Sequence, residues 1–232
     1  MEYQTKQSLI DGIVEDIVSI YSNDLSTSQD IYQAITDNVF MVTMKFDGID
    51  LRGLVDQTHK GPFDVKLDVD PGYKNYLRHI GQSQQFPDLH LYLDAFDRWY
   101  RYLLVQSFGR KFYRWIDHQP LAYAFIDHDG SRMKDGRERT IAKHQFEKLG
   151  RHHVHAIVAL KPGIGQQCVR PLRQMRIGFD DQLKEFGNVH IQPFDPNLGL
   201  RQLVAYCSKG ARAVDAGDAW SDLHEVFPRK RQ

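Results

Sequence analysis

His153-Val154-His155-Ala156-Ile157-Val158-Ala159-Leu160 (HVHAIVAL, 153–160) is the stretch on which the fold turns. Its apolar run is β-prone, and the Lys161-Pro162-Gly163 turn ends it, so it reads as a buried strand. Residues two apart in a strand point to one face, which puts His153 and His155 on the same side, about 7 Å apart along the chain. Two imidazoles on a rigid strand can converge on one divalent cation. With 11 histidines in 232 residues, such a pair also arises by chance in about one chain of two. Alone it fits a structural strand as well as a metal site, and His152 adds a third histidine beside it.

Three more strands flank this one. FMVTMKF (40–46) and LAYAFID (121–127) precede it, and NVHIQPF (188–194) follows. Helices fill the intervals. QSLIDGIVEDIVSIY (7–21) has apolar side chains at helical spacing, and Asp30 is placed to cap a short helix over IYQAITDN (31–38). From Asp88 to about Ile116 the aromatic and aliphatic residues recur with helical period, and Gly109 is a possible break. Trp99 and Tyr102 there read as core rather than as a base-stacking platform. Residues 171–187 pattern as an amphipathic helix. RQLVAYCSKGARAV (201–214) patterns as another, with Gly210 a candidate interruption. The segments 47–85 and 128–151 read as loops, the second strongly basic.

Length and hydropathy suit one soluble domain with an appendage. No apolar run approaches the about 20 residues of a membrane span. The first 18 residues lack a basic start followed by an apolar stretch, so no signal peptide is expected, and the cytoplasm is the expected location. Cys168 and Cys207 are too few for a disulfide scaffold and are read as reduced thiols, with Cys207 read as packing rather than chemistry. Net charge is zero, yet unevenly spread. Residues 1–97 hold 7 Lys/Arg against 16 Asp/Glu, whereas residues 98–176 hold 16 against 6. A basic segment of that kind tracks a phosphate backbone or pairs with the acidic N-terminal third. There is no phosphate-loop motif to suggest an attached ATPase.

Tyr206 and Lys209, three apart on the expected helix, share a face. Phenols are weak nucleophiles at neutral pH, but one can attack a phosphodiester when a metal polarises the phosphate and a cation offsets the charge. Tyr3 and Lys6 repeat the spacing, so order and context matter more than the motif.

In that order the chain resembles the rolling-circle replication initiators (Rep) of the HUH endonucleases. FMVTMKF looks like their first motif, a strand with an internal Thr. His153-Val154-His155 looks like the second, and Tyr206 with Lys209 in VAYCSKG looks like the third. The resemblance implies an α+β fold, a ferredoxin/RRM-like antiparallel sheet of about five strands with helices on one face and the metal site on the other. It implies that His153 and His155 bind Mg²⁺ or Mn²⁺, that Tyr206 forms a 5′-phosphotyrosine link and that Lys209 offsets charge. Asp127 is the candidate third ligand, with His128 and Asp129 as competitors. Relatives place their acidic residue close before the histidines, whereas Asp127 lies 26 residues before His153, so 128–151 reads as an inserted loop. Its Arg132, Lys134, Arg137 and Arg139 are candidate DNA contacts. The implied partner is single-stranded or hairpin DNA at a replication origin, with a host helicase or polymerase as a further candidate. The expected organisation is an N-terminal helical extension (1–38), the endonuclease domain (39–214) and a C-terminal tail (215–232). A transposase or relaxase of the same class is the alternative, the latter kept open by His152. From another class, the alternative is a nucleic-acid-binding module without catalysis.

Overall fold

The computed structural model describes residues 6–23, 25, 27–46, 89–128, 141–142, 152–176, 188–215 and 223–228. In chain order these form helices α1 (Lys6–Ser22) and α2 (Ser28–Asn38), strand β1 (Val39–Lys45) and helix α3 (His90–Phe108). A 3-10 segment (Phe112–His118) leads to β2 (Leu121–His128), and a two-residue β3 (Ile141–Ala142) precedes β4 (His152–Ala159). A second 3-10 segment (Gly163–Cys168) runs into α4 (Val169–Arg176), followed by β5 (Asn188–Pro193). Helices α5 (Leu200–Cys207) and α6 (Lys209–Ala213), then β6 (Val214–Asp215) and β7 (His224–Phe227), complete it.

The main sheet has the order β5-β1-β4-β2-β7, antiparallel throughout, so the HVHAIVAL strand is its centre. All eight residues of β4 are buried. The four strands expected from sequence are joined by β7, which falls in the stretch read as a tail. Its four residues are too short for a visible alternation, yet Phe227 is fully buried against Phe96 and Tyr100 of α3.

Helix α3 covers one face of the sheet. Phe96, Trp99, Tyr100 and Leu103 recur at helical spacing and are buried, and each large side chain so placed contributes about 2 kcal/mol. Gly109 ends the helix at φ 72°, a left-handed conformation that glycine adopts without a Cβ clash. The expected helix thus stops there, and the following residues form the 3-10 segment instead.

Helices also lie on the other face, contrary to the expected one-sided arrangement. Tyr123, on the same face as Asp127, donates its hydroxyl proton to Asp16 of α1. Beyond the histidines, that face of β4 continues as Ile157 and Ala159, apolar residues that need cover. Ile10, Ile13, Ile17 and Tyr21 of α1, with Ile35 of α2, are buried in the same core as the sheet. Thr27, not Asp30, caps α2. Its hydroxyl accepts from the Asp30 amide at 3.1 Å, and Asp30 occupies the first turn. Of 171–187, residues up to Arg176 belong to α4 and the rest lie outside the described residues.

Candidate metal centre

Strand register builds the site. Thr43 of β1 and Phe125 of β2 lie directly opposite His155, while Lys45 and Asp127 lie opposite His153. Directly paired residues share a face of the sheet. Asp127 is therefore brought to the histidines by antiparallel pairing, and the 26-residue separation in sequence has no bearing on it. The competitor His128 belongs to the opposite face. It pairs with His152, whose ring meets that of Tyr92 in α3 at 5.5 Å. Asp129 lies outside the described residues.

The three side chains come together tightly. His153 Nε2 and His155 Nε2 are 3.1 Å apart, and Asp127 Oδ2 is 3.4 Å from each. Two imidazole nitrogens and a carboxylate oxygen bonded at about 2.1 Å to one ion lie roughly 3.0–3.4 Å apart. The donor set and its spacing fit, and Asp127, His153 and His155 could hold a metal ion. Both carboxylate oxygens of Asp127 are buried, and the polar groups around Oδ2 are the two imidazoles and the Lys209 ammonium. Thr43 Oγ1 lies 3.0 Å from His155 Nδ1. With Nδ1 engaged by that hydroxyl, Nε2 is the nitrogen left to face the cluster. Thr43 was legible only as part of a motif. Its orienting role depends on the β1–β4 register.

Electrostatics favour the ligand-competent forms. Burial pushes the Asp127 carboxyl up, but the two imidazoles and the Lys209 ammonium outweigh it and hold the carboxyl well below the usual range. Burial, reinforced by the charge of His153 and Lys209, lowers the pKa of His155 against the opposing pull of Asp127. A carboxylate beside a neutral imidazole is the state a cation binds.

Tyr206 and Lys209 reach the same cluster from α5 and α6. The helix expected across 201–214 breaks at Ser208, not at Gly210. The buried Ser208 hydroxyl donates to the Val204 carbonyl at 2.7 Å, and α6 restarts at Lys209. Lys209 Nζ is 2.9 Å from Asp127 Oδ2 and 4.6 Å from the centre of the Tyr206 ring. The Tyr206 ring lies 5.0 Å from that of His155. The first turn of α6 presses directly on β2. A Cβ added to Gly210 would fall 2.6 Å from both Asp127 Oδ1 and the Ile126 carbonyl oxygen. Gly210 is thus the contact that lets Lys209 reach Asp127, a role hidden in a sequence where it reads as a helix breaker.

Of the remaining candidates, Arg132, Lys134, Arg137 and Arg139 lie outside the described residues, as does Tyr3. His152 is not part of the cluster. Trp99 and Tyr102 are core, and Cys207 is buried with its thiol pushed up by burial. Among the described residues no helix is long and apolar enough to cross a membrane. Compared with protein-family models, with curated proteins and with solved structures, the chain finds no match.

Proposed function

We propose that this protein is a metal-dependent endonuclease that nicks and rejoins single-stranded DNA, as the rolling-circle initiators it resembles do. One observation carries the reading. A buried Asp127–His153–His155 trio, spaced for one cation, has a tyrosine ring against one of its histidines and a lysine on its carboxylate. A structural histidine pair has no need of a tyrosine and a lysine gathered at the same point.

In this reading Asp127, His153 and His155 hold Mg²⁺ or Mn²⁺, two ions suited to a mixed nitrogen and oxygen set. The bound ion supplies charge neutralisation on the scissile phosphate. Tyr206 is the nucleophile. Its phenolic oxygen bonds to phosphorus, the bond from phosphorus to the 3′ oxygen breaks, and that oxygen leaves as a 3′-OH. The product is a 5′-phosphotyrosine, which the 3′-OH can reverse or which stays while the 3′ end primes synthesis. The Lys209 ammonium beside the ring stabilises developing phenolate charge and positions Asp127. The natural substrate in this reading is single-stranded or hairpin DNA at a replication origin, with a host helicase or polymerase acting next.

The test is covalent capture. Incubated with 3′-end-labelled single-stranded DNA and Mn²⁺, the wild-type protein is expected to carry label through denaturing electrophoresis. Tyr206→Phe is expected to carry none. Label retained by that variant removes Tyr206 as nucleophile, and no label on the wild type with any of a pool of random single strands removes the nuclease reading.

A further inference from the structure

We infer that the exposed segment Arg110–Ile116, at the end of β2 remote from Asp127, is a second binding surface for single-stranded nucleic acid. Three large side chains stand out of it. Tyr113 is 46% exposed, Trp115 40% and Ile116 42%, within four residues of chain. Concentrated exposure of this kind marks a contact surface. Cations are interleaved with them, since Arg110, Lys111 and Arg114 are all exposed. The second 3-10 segment packs against the first where Gly165 meets the His118 carbonyl, and it leads into α4, where Arg170 and Arg173 are also exposed. Across residues 109–118 and 161–176 the one acidic residue is Asp117.

The platform is held in place. Lys161 Nζ donates to the Asp117 carbonyl at 2.9 Å, Gln119 Nε2 to the Phe112 carbonyl at 3.0 Å, and the Tyr100 hydroxyl to the Pro120 carbonyl at 2.6 Å. Phe112 faces inward against the core, anchoring a backbone that turns its neighbours outward. Aromatic side chains alternating with cations match a ligand that alternates flat bases with phosphates. A single strand offers base faces for stacking, whereas a duplex has already stacked them. An acidic protein would answer the arginines but leave the aromatic residues without a specific partner.

From Leu121, beside this surface, to Asp127 the strand runs about 20 Å. A strand gripped here and at the metal centre is held twice, which fixes its path across the domain. That the strand is DNA rests on the nuclease reading; the surface itself does not.

The experiment is fluorescence anisotropy of a labelled thirty-nucleotide oligo(dT) with the full chain in EDTA, so that cleavage plays no part, alongside sedimentation velocity. The double variant Tyr113→Ala/Trp115→Ala is expected to bind about tenfold or more weakly. Tyr113→Phe/Trp115→Phe, which keeps the rings, is expected to stay within about twofold of wild type. Replacing Arg110 and Arg114 by Gln is expected to lower the log–log salt slope by about 1.4. The inference is overturned if the wild type does not bind the oligonucleotide, or if the double alanine variant binds it equally well. It is also overturned if that variant changes from dimer to monomer, which makes the surface an interface between copies. A missing covalent adduct alongside a ring-dependent affinity defeats the nuclease reading and leaves this one standing.

Discussion

Strands β2 and β4 carry histidines on both faces, and the two faces put them to different use. On one face His153 and His155 meet Asp127, Lys209 and Tyr206 within contact distance. On the other, one residue out of step, His128 and His152 pair across the same two strands, and the His152 ring meets that of Tyr92. All four are buried. Among the described residues, no third ligating side chain completes a trio with the second pair. Burial and histidine content are therefore poor guides to a site. What separates the faces is a carboxylate delivered by register and a lysine delivered by a helix that approaches without a Cβ.

The largest break in that contrast comes from Lys209→Met. It leaves Asp127 as a buried carboxylate beside imidazoles with no full positive charge, at a cost of about 3 kcal/mol in metal-free protein. Denaturant unfolding in EDTA is expected to show that loss. Saturating Mn²⁺ is expected to recover most of it, because the ion replaces the missing charge. A loss unchanged by Mn²⁺ detaches the lysine from the metal centre.

Gly210→Ala strikes the same face through its backbone. The added methyl, 2.6 Å from Asp127 Oδ1, must push α6 away from β2, and about 2 kcal/mol of stability should go with it. The covalent-capture yield at saturating Mn²⁺ is expected to fall at least tenfold, because Lys209 moves with α6 away from Asp127 and from the Tyr206 ring. Ser208→Ala, at the break itself, removes one hydrogen bond to Val204 and is expected to cost less.

How much of this was legible beforehand follows from range. The central strand, its neighbours and the long aromatic helix are written in local alternation and period, so they could be read residue by residue. The histidine pair and Tyr206 with Lys209 were legible because each spacing is local. The Asp127 partnership was only a candidate, since nothing local distinguishes Asp127 from His128 or Asp129. The β2–β4 register decides it, by placing Asp127 opposite His153 and turning His128 away. Thr43 and Gly210 lay further out of reach, because their roles exist only where a side chain or its absence meets another strand. β7 was missed because four residues carry too little pattern, and its place is set by Phe227 filling the space beside Phe96.

Thr43→Val keeps the shape of β1 and removes the hydroxyl facing His155 Nδ1. Titration calorimetry is expected to show Mn²⁺ affinity about tenfold lower, with the fold intact. An unchanged affinity means His155 is oriented by packing alone.

The smallest effect concerns pH. The pKa of His155 is lowered from 6.5, mainly by burial, so the folded state prefers the neutral ring. A group whose folded pKa lies below its unfolded value adds stability above the unfolded value and loses it as pH falls. Asp127 has the same sign, at pH values below its unfolded value of 3.8. Metal-free protein should therefore lose thermal stability as pH drops below about 6.5, and His155→Gln should flatten that fall between pH 7 and 5. Equal slopes in the two proteins assign the pH dependence elsewhere.

The contrast between the faces comes down to metal binding, and calorimetric titration of Mn²⁺ into the metal-free chain tests it most directly. One site is expected in the wild type, absent from His153→Ala/His155→Ala and unchanged in His152→Ala. Equal binding by the first variant, or loss in the second, contradicts the assignment of the metal to the His153–His155 face.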